Sequence, residues 1–112
     1  MSMLKISAIV CGAALAAASP AALAATAKCS VDTSGFCHSG SVPANLNGNF
    51  VHVHVSGPCE LYTVVDNENY VTVGYGSSGW GGADGFLGGL WSRYSLYIYN
   101  GTWPFTSGYV DN

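Results

Sequence analysis

The sequence predicts an all-β protein: a small antiparallel β-sandwich or Greek-key barrel that follows an N-terminal signal peptide. Three observations support this prediction. Val51, Val53 and Val55 alternate with histidines, as in a strand with one buried face. Further short β-type runs are separated by turns that contain glycine, proline or asparagine. After residue 27, no stretch shows the spacing of apolar side chains that is typical of a helix.

The first 27 residues have the organisation of a secretory signal peptide. Lys5 gives a positive start, residues 6–18 are apolar and uncharged, and Ala25-Thr26-Ala27 supplies the small residues required before a cleavage site. Ala22-Leu23-Ala24 meets the same requirement. We therefore expect a single secreted β domain of residues 28–112, extracellular or in the cell wall, with no membrane span.

The charge of this domain excludes several classes of partner. Lys28 and Arg93 are its two strong cations, and six carboxylates give a net charge of −4. Two cations cannot hold a nucleic-acid backbone or an anionic membrane by releasing counterions. The remaining surface residues are serine, threonine, asparagine, glycine and tyrosine, a palette typical of adaptable binding surfaces. The expected partner is an extracellular protein or glycan.

Three cysteines remain after removal of the leader: Cys29, Cys37 and Cys59. In an oxidising compartment, one pair should form a disulfide and one thiol should be left. Pairing Cys29 with Cys37 closes a short loop, whereas pairing Cys37 with Cys59 ties this segment to the sheet. The sequence leaves both pairings open, and it also allows the third cysteine to link two copies as a disulfide-linked homodimer.

The elements follow from local patterns. Residues 28–49 are expected to be rich in loops, with one short strand. The alternating strand 51–55 comes next, and then residues 61–65 and 70–73 form a hairpin around a polar loop. With Val65 opposite Tyr70, the core face of this hairpin consists of Tyr62, Val64, Val71 and Val73.

A second hairpin is expected near the end of the chain. In the strand 94–99, Leu96 and Ile98 point one way and Tyr97 and Tyr99 the other. Asn100-Gly101 is a strong two-residue turn signal. The return strand would then be residues 102–105, which places Trp103 opposite Ile98 and in the core.

Residues 76–90 contain seven glycines with Trp80 and Phe86 between them. So long a loop in a small domain is usually functional, and its aromatic residues argue against disorder. We predict a binding loop with Trp80 and Phe86 as anchors; a structural lid is the alternative. The predicted binding residues are Trp80, Phe86, Trp91, Arg93, Tyr94, Tyr97 and Tyr99.

Catalytic and metal motifs are sparse. His52 and His54 lie on one face of a strand and could ligate a metal if His38 supplied a third nitrogen. No cofactor is expected, and no nucleophile elbow or spaced carboxylate pair is found. The sequence therefore does not indicate an enzyme, and a secreted hydrolase ranks third among the functions considered.

Two resemblances add to this interpretation. Tyr94, Tyr99 and Gly101 have the spacing of the Greek-key signature of βγ-crystallin-type domains, a group that includes small secreted antifungal and killer-toxin-like proteins. This resemblance implies a Greek-key fold and an antimicrobial role. The chain is also similar to small secreted β-sandwich inhibitors of α-amylase, through its valine alternation, its cysteine-led strand and residues 71–76. We predict a secreted binding protein that recognises or inhibits an extracellular enzyme or cell-surface glycan.

Overall fold

The computed structural model describes residues 25–112, so the proposed signal peptide lies almost entirely outside the described residues. Within this range the protein is all-β, and it has no helix. The described residues form eight strands, which are β1 (Thr26–Ser30), β2 (Cys37–Pro43), β3 (Val51–Ser56), β4 (Cys59–Asp66), β5 (Val71–Ser78), β6 (Ala83–Leu87), β7 (Arg93–Gly101) and β8 (Ser107–Asp111).

The strands form two four-stranded antiparallel sheets that pack as a sandwich. Sheet A has the order β1-β8-β3-β6, and sheet B has the order β2-β7-β4-β5. Among these eight strands, β4 and β5 are the one pair that is both consecutive in sequence and hydrogen-bonded. Nearly every connection therefore crosses from one sheet to the other. Connections 31–36, 57–58, 79–82 and 102–106 lie at one end, which we call the tip, and 44–50, 67–70 and 88–92 lie at the other end, which we call the base.

The core lies between the sheets and consists mainly of branched aliphatic side chains. The alternation of β3 places all three of its valines inside, and β7 contributes Leu96 and Ile98, both fully buried. Leu96 occupies space opposite Gly108 of β8: a Cβ atom on that glycine would lie 2.8 Å from Leu96 Cδ2. The core residues are Val31, Cys37, Val42, Ala44, Val51, Val53, Val55, Cys59, Val64, Leu90, Tyr94, Leu96, Ile98 and Val110.

The two lateral sides of the sandwich are closed differently. On one side the Cys29–Cys37 disulfide joins β1 to β2 and so links the sheets. On the other side the edge strands β5 and β6 leave a cleft of about 190 Å³, with Tyr62 and Leu87 in its lining. Cys59 is a free thiol and is buried in β4.

The second predicted hairpin is wrong. Asn100 and Gly101 belong to β7, and the chain then turns through residues 102–106 into β8 of the other sheet. Because the return strand starts at Ser107, Trp103 lies in the turn rather than opposite Ile98. Its side chain is not in the core, since Trp103 is 56% exposed.

Two further expectations also need correction. Residues 76–90 are not one long loop: they include the end of β5 and the whole of β6. Residues 28–49 contain most of β1 and all of β2, rather than one short strand. For β1, β2 and β6, hydrogen bonding to strands distant in sequence supplies a strand that the local composition does not suggest.

The first predicted hairpin is present with a different register. Val65 pairs with Thr72 rather than Tyr70, and a bulge follows, so that Val64 pairs with Gly74. Val64 is fully buried as predicted, but Val71 is 54% exposed because it lies at the start of the edge strand.

Candidate functional site

The outer face of sheet B is lined by aromatic side chains. Because side chains alternate along a strand, burial of Leu96 and Ile98 forces Tyr97 and Tyr99 outward. Their rings lie 6.4 Å apart with an angle of 12° between their planes. Both were predicted as binding residues from the sequence, and the structure places them side by side.

Neighbouring strands extend this surface on both sides of β7. His38 of β2 stacks on Tyr97 at 4.6 Å, and Phe36 lies 5.4 Å from the Tyr99 ring. On the opposite side, Thr63 pairs with Tyr97 and Leu61 with Tyr99. Thr63 in turn pairs with Tyr75 of β5, which is 77% exposed. We call this surface the aromatic face; it comprises Phe36, His38, Leu61, Thr63, Tyr75, Tyr97 and Tyr99.

The composition of the aromatic face is unusual for a sandwich. An outward-facing strand position is normally polar, with the apolar side chains directed into the core. Here the outward positions of four strands carry rings and hydroxyl groups, and none of the seven residues is an acid, lysine or arginine. Such a surface offers flat apolar contact area together with hydrogen-bonding groups, and it offers no strong charge to a ligand.

The outer face of sheet A has the opposite character, and we call it the charged face. Residues His52, His54, Asp84, Phe86, Tyr109 and Asp111 occupy adjacent outward positions on β3, β6 and β8. His52 bridges two strands: its Nε2 is 2.6 Å from Asp84 Oδ1, and its Nδ1 is 3.1 Å from Asp111 Oδ1. The ring of Phe86 lies 4.9 Å from His52.

This bridge changes the ionisation of its members. Partial burial of His52 disfavours its imidazolium, but the hydrogen bonds and charges of Asp84 and Asp111 outweigh burial and raise the pKa of His52 above its usual value. Hydrogen bonds from His52 and His54 lower the pKa of Asp84. A neutral imidazole has one N–H, so only the protonated ring can donate to both carboxylates.

We therefore expect stability to depend on pH through His52. A histidine whose pKa is raised by folding contributes its full stabilisation below about pH 6.5 and loses it as the pH rises through the folded pKa. Asp84 acts in the opposite direction, since its contribution is lost as the pH falls below about 4. The melting temperature should consequently fall by a few degrees from pH 5.5 to pH 8.5, as measured by thermal unfolding followed by circular dichroism.

His52→Gln provides the control for this expectation. Glutamine keeps a donor and an acceptor but does not titrate, so the variant should show a flatter profile over the same pH range. An unchanged slope in His52→Gln would show that other groups cause the pH dependence.

The three-histidine metal site that the sequence allowed is not formed. His52 and His54 lie on the charged face, whereas His38 lies on the aromatic face of the other sheet. Across residues 25–112, no group of three or more His, Cys, Asp or Glu side chains is arranged to hold a metal ion.

The other predicted binding residues are dispersed over the molecule. Trp80 lies at the tip, with its ring 5.9 Å from Phe105, and both side chains are more than half exposed. Phe86 lies on the charged face. Trp91 lies at the base and is 77% exposed. Arg93, the first residue of β7, donates a hydrogen bond to the Ser41 hydroxyl. Of the predicted set, the structure brings Tyr97 and Tyr99 side by side, and Arg93 lies farther along the same outer surface toward the base.

Tyr94 has a structural role. It is 2% exposed, and its hydroxyl accepts hydrogen bonds from the backbone N–H groups of Trp91 and Ser92. These bonds hold the connection 88–92 against the core and position Trp91. Tyr94 is therefore almost fully buried, and its hydroxyl is occupied in holding this connection.

A second pocket lies at the base, beside Trp91. Its volume is about 340 Å³, and Asp66, Glu68 and Ser92 contribute to its lining. Asp66 is buried, and its carboxylate accepts hydrogen bonds from the side chains of Asn69 and Ser92 and from two backbone N–H groups. Hydrogen bonds from Asn69 and Ser92 lower the pKa of Asp66 to about 2 despite its burial. Asp66 thus organises the turn at residues 67–70.

Sequence reasoning missed five residues of the aromatic face as members of a binding surface: Phe36, His38, Leu61, Thr63 and Tyr75. No pattern of spacing unites them, because they come from β2, β4, β5 and a connection. The one available signal was the outward alternation of Tyr97 and Tyr99, which required that their neighbours on the paired strands also face outward.

Comparison of the chain with protein-family models, with characterised proteins and with solved structures gives no match. In residues 25–112, no helix has the length and apolar character needed to cross a membrane.

Proposed function

We propose that the protein is a secreted binding module that recognises a neutral extracellular glycan through the aromatic face. The observation that carries this proposal is the row of outward-facing rings on sheet B, where Tyr97 stacks between His38 and Tyr99. Tyr97 and Tyr99 are half-buried, whereas Phe36, His38 and Tyr75 are exposed, and a ligand that covers the remaining ring surface gains binding energy.

The chemistry of a sugar matches this face. A pyranose ring has apolar C–H surfaces that stack on aromatic rings, and its edges carry hydroxyl groups. Tyr97 and Tyr99 offer an apolar ring with a polar hydroxyl at its end, and Thr63 adds a further donor and acceptor between Tyr97 and Tyr75. The seven residues of the aromatic face include no strong cation, and Arg93, farther along the same outer surface, donates hydrogen bonds to Ser41. This composition favours a neutral glycan over an anionic one.

The shape of the face favours a polymer over a small molecule. Pockets that bind small ligands enclose most of the ligand surface. The aromatic face is instead an open sheet surface that crosses four strands, from His38 of β2 to Tyr75 of β5. An extended chain can contact several rings at once, so that weak contacts at each sugar add up.

The proposal is tested by binding to a panel of neutral polysaccharides, soluble and insoluble, followed by calorimetry on those that retain the protein. Tyr97→Ala and Tyr99→Ala should each weaken binding by about 2 kcal/mol, roughly 30-fold, as expected for central aromatic anchors. Tyr97→Phe should retain most of the affinity, because it keeps the stacking ring.

Phe86→Ala is the matched control, since it removes an exposed ring from the charged face. It should leave glycan binding unchanged. Equal losses in Phe86→Ala and Tyr97→Ala, or no retention of the native protein on any neutral glycan, would contradict the proposal.

We infer export from the leader sequence, with cleavage after Ala24 rather than after Ala27. Thr26 and Ala27 pair with Asp111 and Val110 of β8, and the Ala25 N–H donates to Asn112. Cleavage after Ala27 would remove two of the five residues of β1. Cleavage after Ala22-Leu23-Ala24 keeps the strand complete.

A second candidate function is recognition of an extracellular protein such as an enzyme. The observation that favours it is the exposed pair of Trp80 and Phe105 at the tip, where rings meet edge to face. Tryptophan is the residue most enriched in binding hot spots. Retention of a secreted protein that depends on Trp80 and not on Tyr97 would favour this function over glycan binding.

A further inference from the structure

The four edge strands of the sandwich differ in how they are protected against pairing with another chain. Natural sheets protect their edges with short strands, charged side chains, proline or bulges. β1 has five residues and carries Lys28. β2 carries Pro43 and a bulge between His38 and Ser41. β6 has five residues and carries Asp84.

Strand β5 lacks most of these protections. It has eight residues, Val71–Ser78, with no charged side chain and no proline. It pairs with β4 on one side, and among residues 25–112 no strand pairs with its other side. Its pairing with β4 shifts register twice, near Val73 and between Gly76 and Ser78, and Gly74, Tyr75 and Gly76 pair regularly with β4 between these two shifts.

We propose that β5 is a homodimer edge, at which a second copy of this chain pairs antiparallel with β5 and joins the two B sheets into one eight-stranded sheet. A two-fold axis brings β5 against itself, so its composition must be compatible with self-pairing. An uncharged strand meets this condition because no like charges are brought together across the junction.

The consequence concerns the aromatic face. Tyr75 is the member of that face on β5, and it would lie near the same residue of the second copy. The two aromatic faces would then form one continuous surface of double length, which presents two sets of rings to one polymer. This inference stands independently of the proposed glycan, since it depends only on the composition and pairing of the edges.

A dimer paired through β5 differs from a dimer linked by a disulfide. Cys59 is the one free cysteine among the described residues, and it is 6% exposed. Burial raises the pKa of its thiol, which lowers the fraction of reactive thiolate. Non-reducing gel electrophoresis separates the two kinds of dimer, because only a disulfide-linked dimer persists in detergent.

The experiment is sedimentation equilibrium of the mature protein over a wide concentration range. Wild type should show a reversible monomer–dimer equilibrium. The double variant Thr72→Lys, Ser77→Lys places two charges on exposed positions of β5 and should raise the dimer dissociation constant about tenfold or more. The matched control Thr26→Lys, Ser30→Lys adds the same charge to exposed positions of β1 and should leave the equilibrium unchanged.

Circular dichroism and melting temperature confirm that both variants fold. A protein that stays monomeric at all concentrations, or a dimer that the β5 variant does not weaken, would overturn the inference. A dimer weakened equally by both double variants would also overturn it, since added charge alone would then explain the effect. Glycan binding is not part of this measurement, so its outcome is separate from that of the proposed function.

Discussion

Replacing Leu96 with alanine should lower the free energy of unfolding by about 2–5 kcal/mol, the range measured for large-to-small changes in well-packed cores. Leu96 is fully buried in the centre of β7, and its Cδ2 packs close to Gly108 of the facing sheet. Because Gly108 has no side chain, it cannot fill the cavity. Chemical denaturation followed by tryptophan fluorescence or circular dichroism measures this change.

Trp103→Ala supplies the contrasting case. Tryptophan is the larger side chain, yet Trp103 is 56% exposed in the turn between β7 and β8. Its removal should change the free energy of unfolding by less than about 1 kcal/mol, as for most exposed positions. A loss in Trp103→Ala as large as that in Leu96→Ala would restore the interpretation that Trp103 belongs to the core.

The two residues show what local sequence patterns can predict here. Alternation within one strand is a local property, so the inward direction of Leu96 and Ile98 was predicted correctly from the sequence. The location of Trp103 depended on which strand follows the turn. Asn100-Gly101 favours a two-residue hairpin, but the chain crosses to the other sheet instead, and no local signal distinguishes these outcomes.

Glycine-rich strands were missed for a related reason. Glycine is disfavoured in strands, so residues 76–90 suggested a loop. In the structure, β6 pairs along its whole length with β3, from Val51 opposite Leu87 to Val55 opposite Ala83. Those backbone hydrogen bonds come from a strand some thirty residues earlier. Tertiary pairing therefore overrides the local preference.

The candidate site was predicted only in part. Tyr97 and Tyr99 follow from the outward positions of one strand, but their neighbours require the order β2-β7-β4-β5 to be known. Phe36 and Tyr75 are separated by 39 positions in sequence. They lie on the same surface because Phe36 directly precedes β2, and β2 and β5 flank the central strands β7 and β4 of sheet B. Sequence spacing carries no information of that kind.

Removing the disulfide should have the second largest effect on stability. Cys29–Cys37 joins β1 of sheet A to β2 of sheet B with a sequence separation of 8. Restriction of the unfolded chain by a loop of this size corresponds to about 2–3 kcal/mol. In a domain this small, a loss of that size lowers the melting temperature by roughly 10–20 °C. Thermal unfolding of Cys29→Ser, Cys37→Ser measures the change.

Cys59→Ala is the control that separates the two pairings the sequence left open. Because Cys59 is a free, buried thiol, Cys59→Ala should remove only a small apolar contact and cost about 1 kcal/mol or less. The wild-type monomer should show one thiol by titration in denaturant and almost none when native, because burial shields Cys59. A severe loss in Cys59→Ala, with the thiol of Cys29 free in the wild type, would establish the Cys37–Cys59 pairing and contradict the link between β1 and β2.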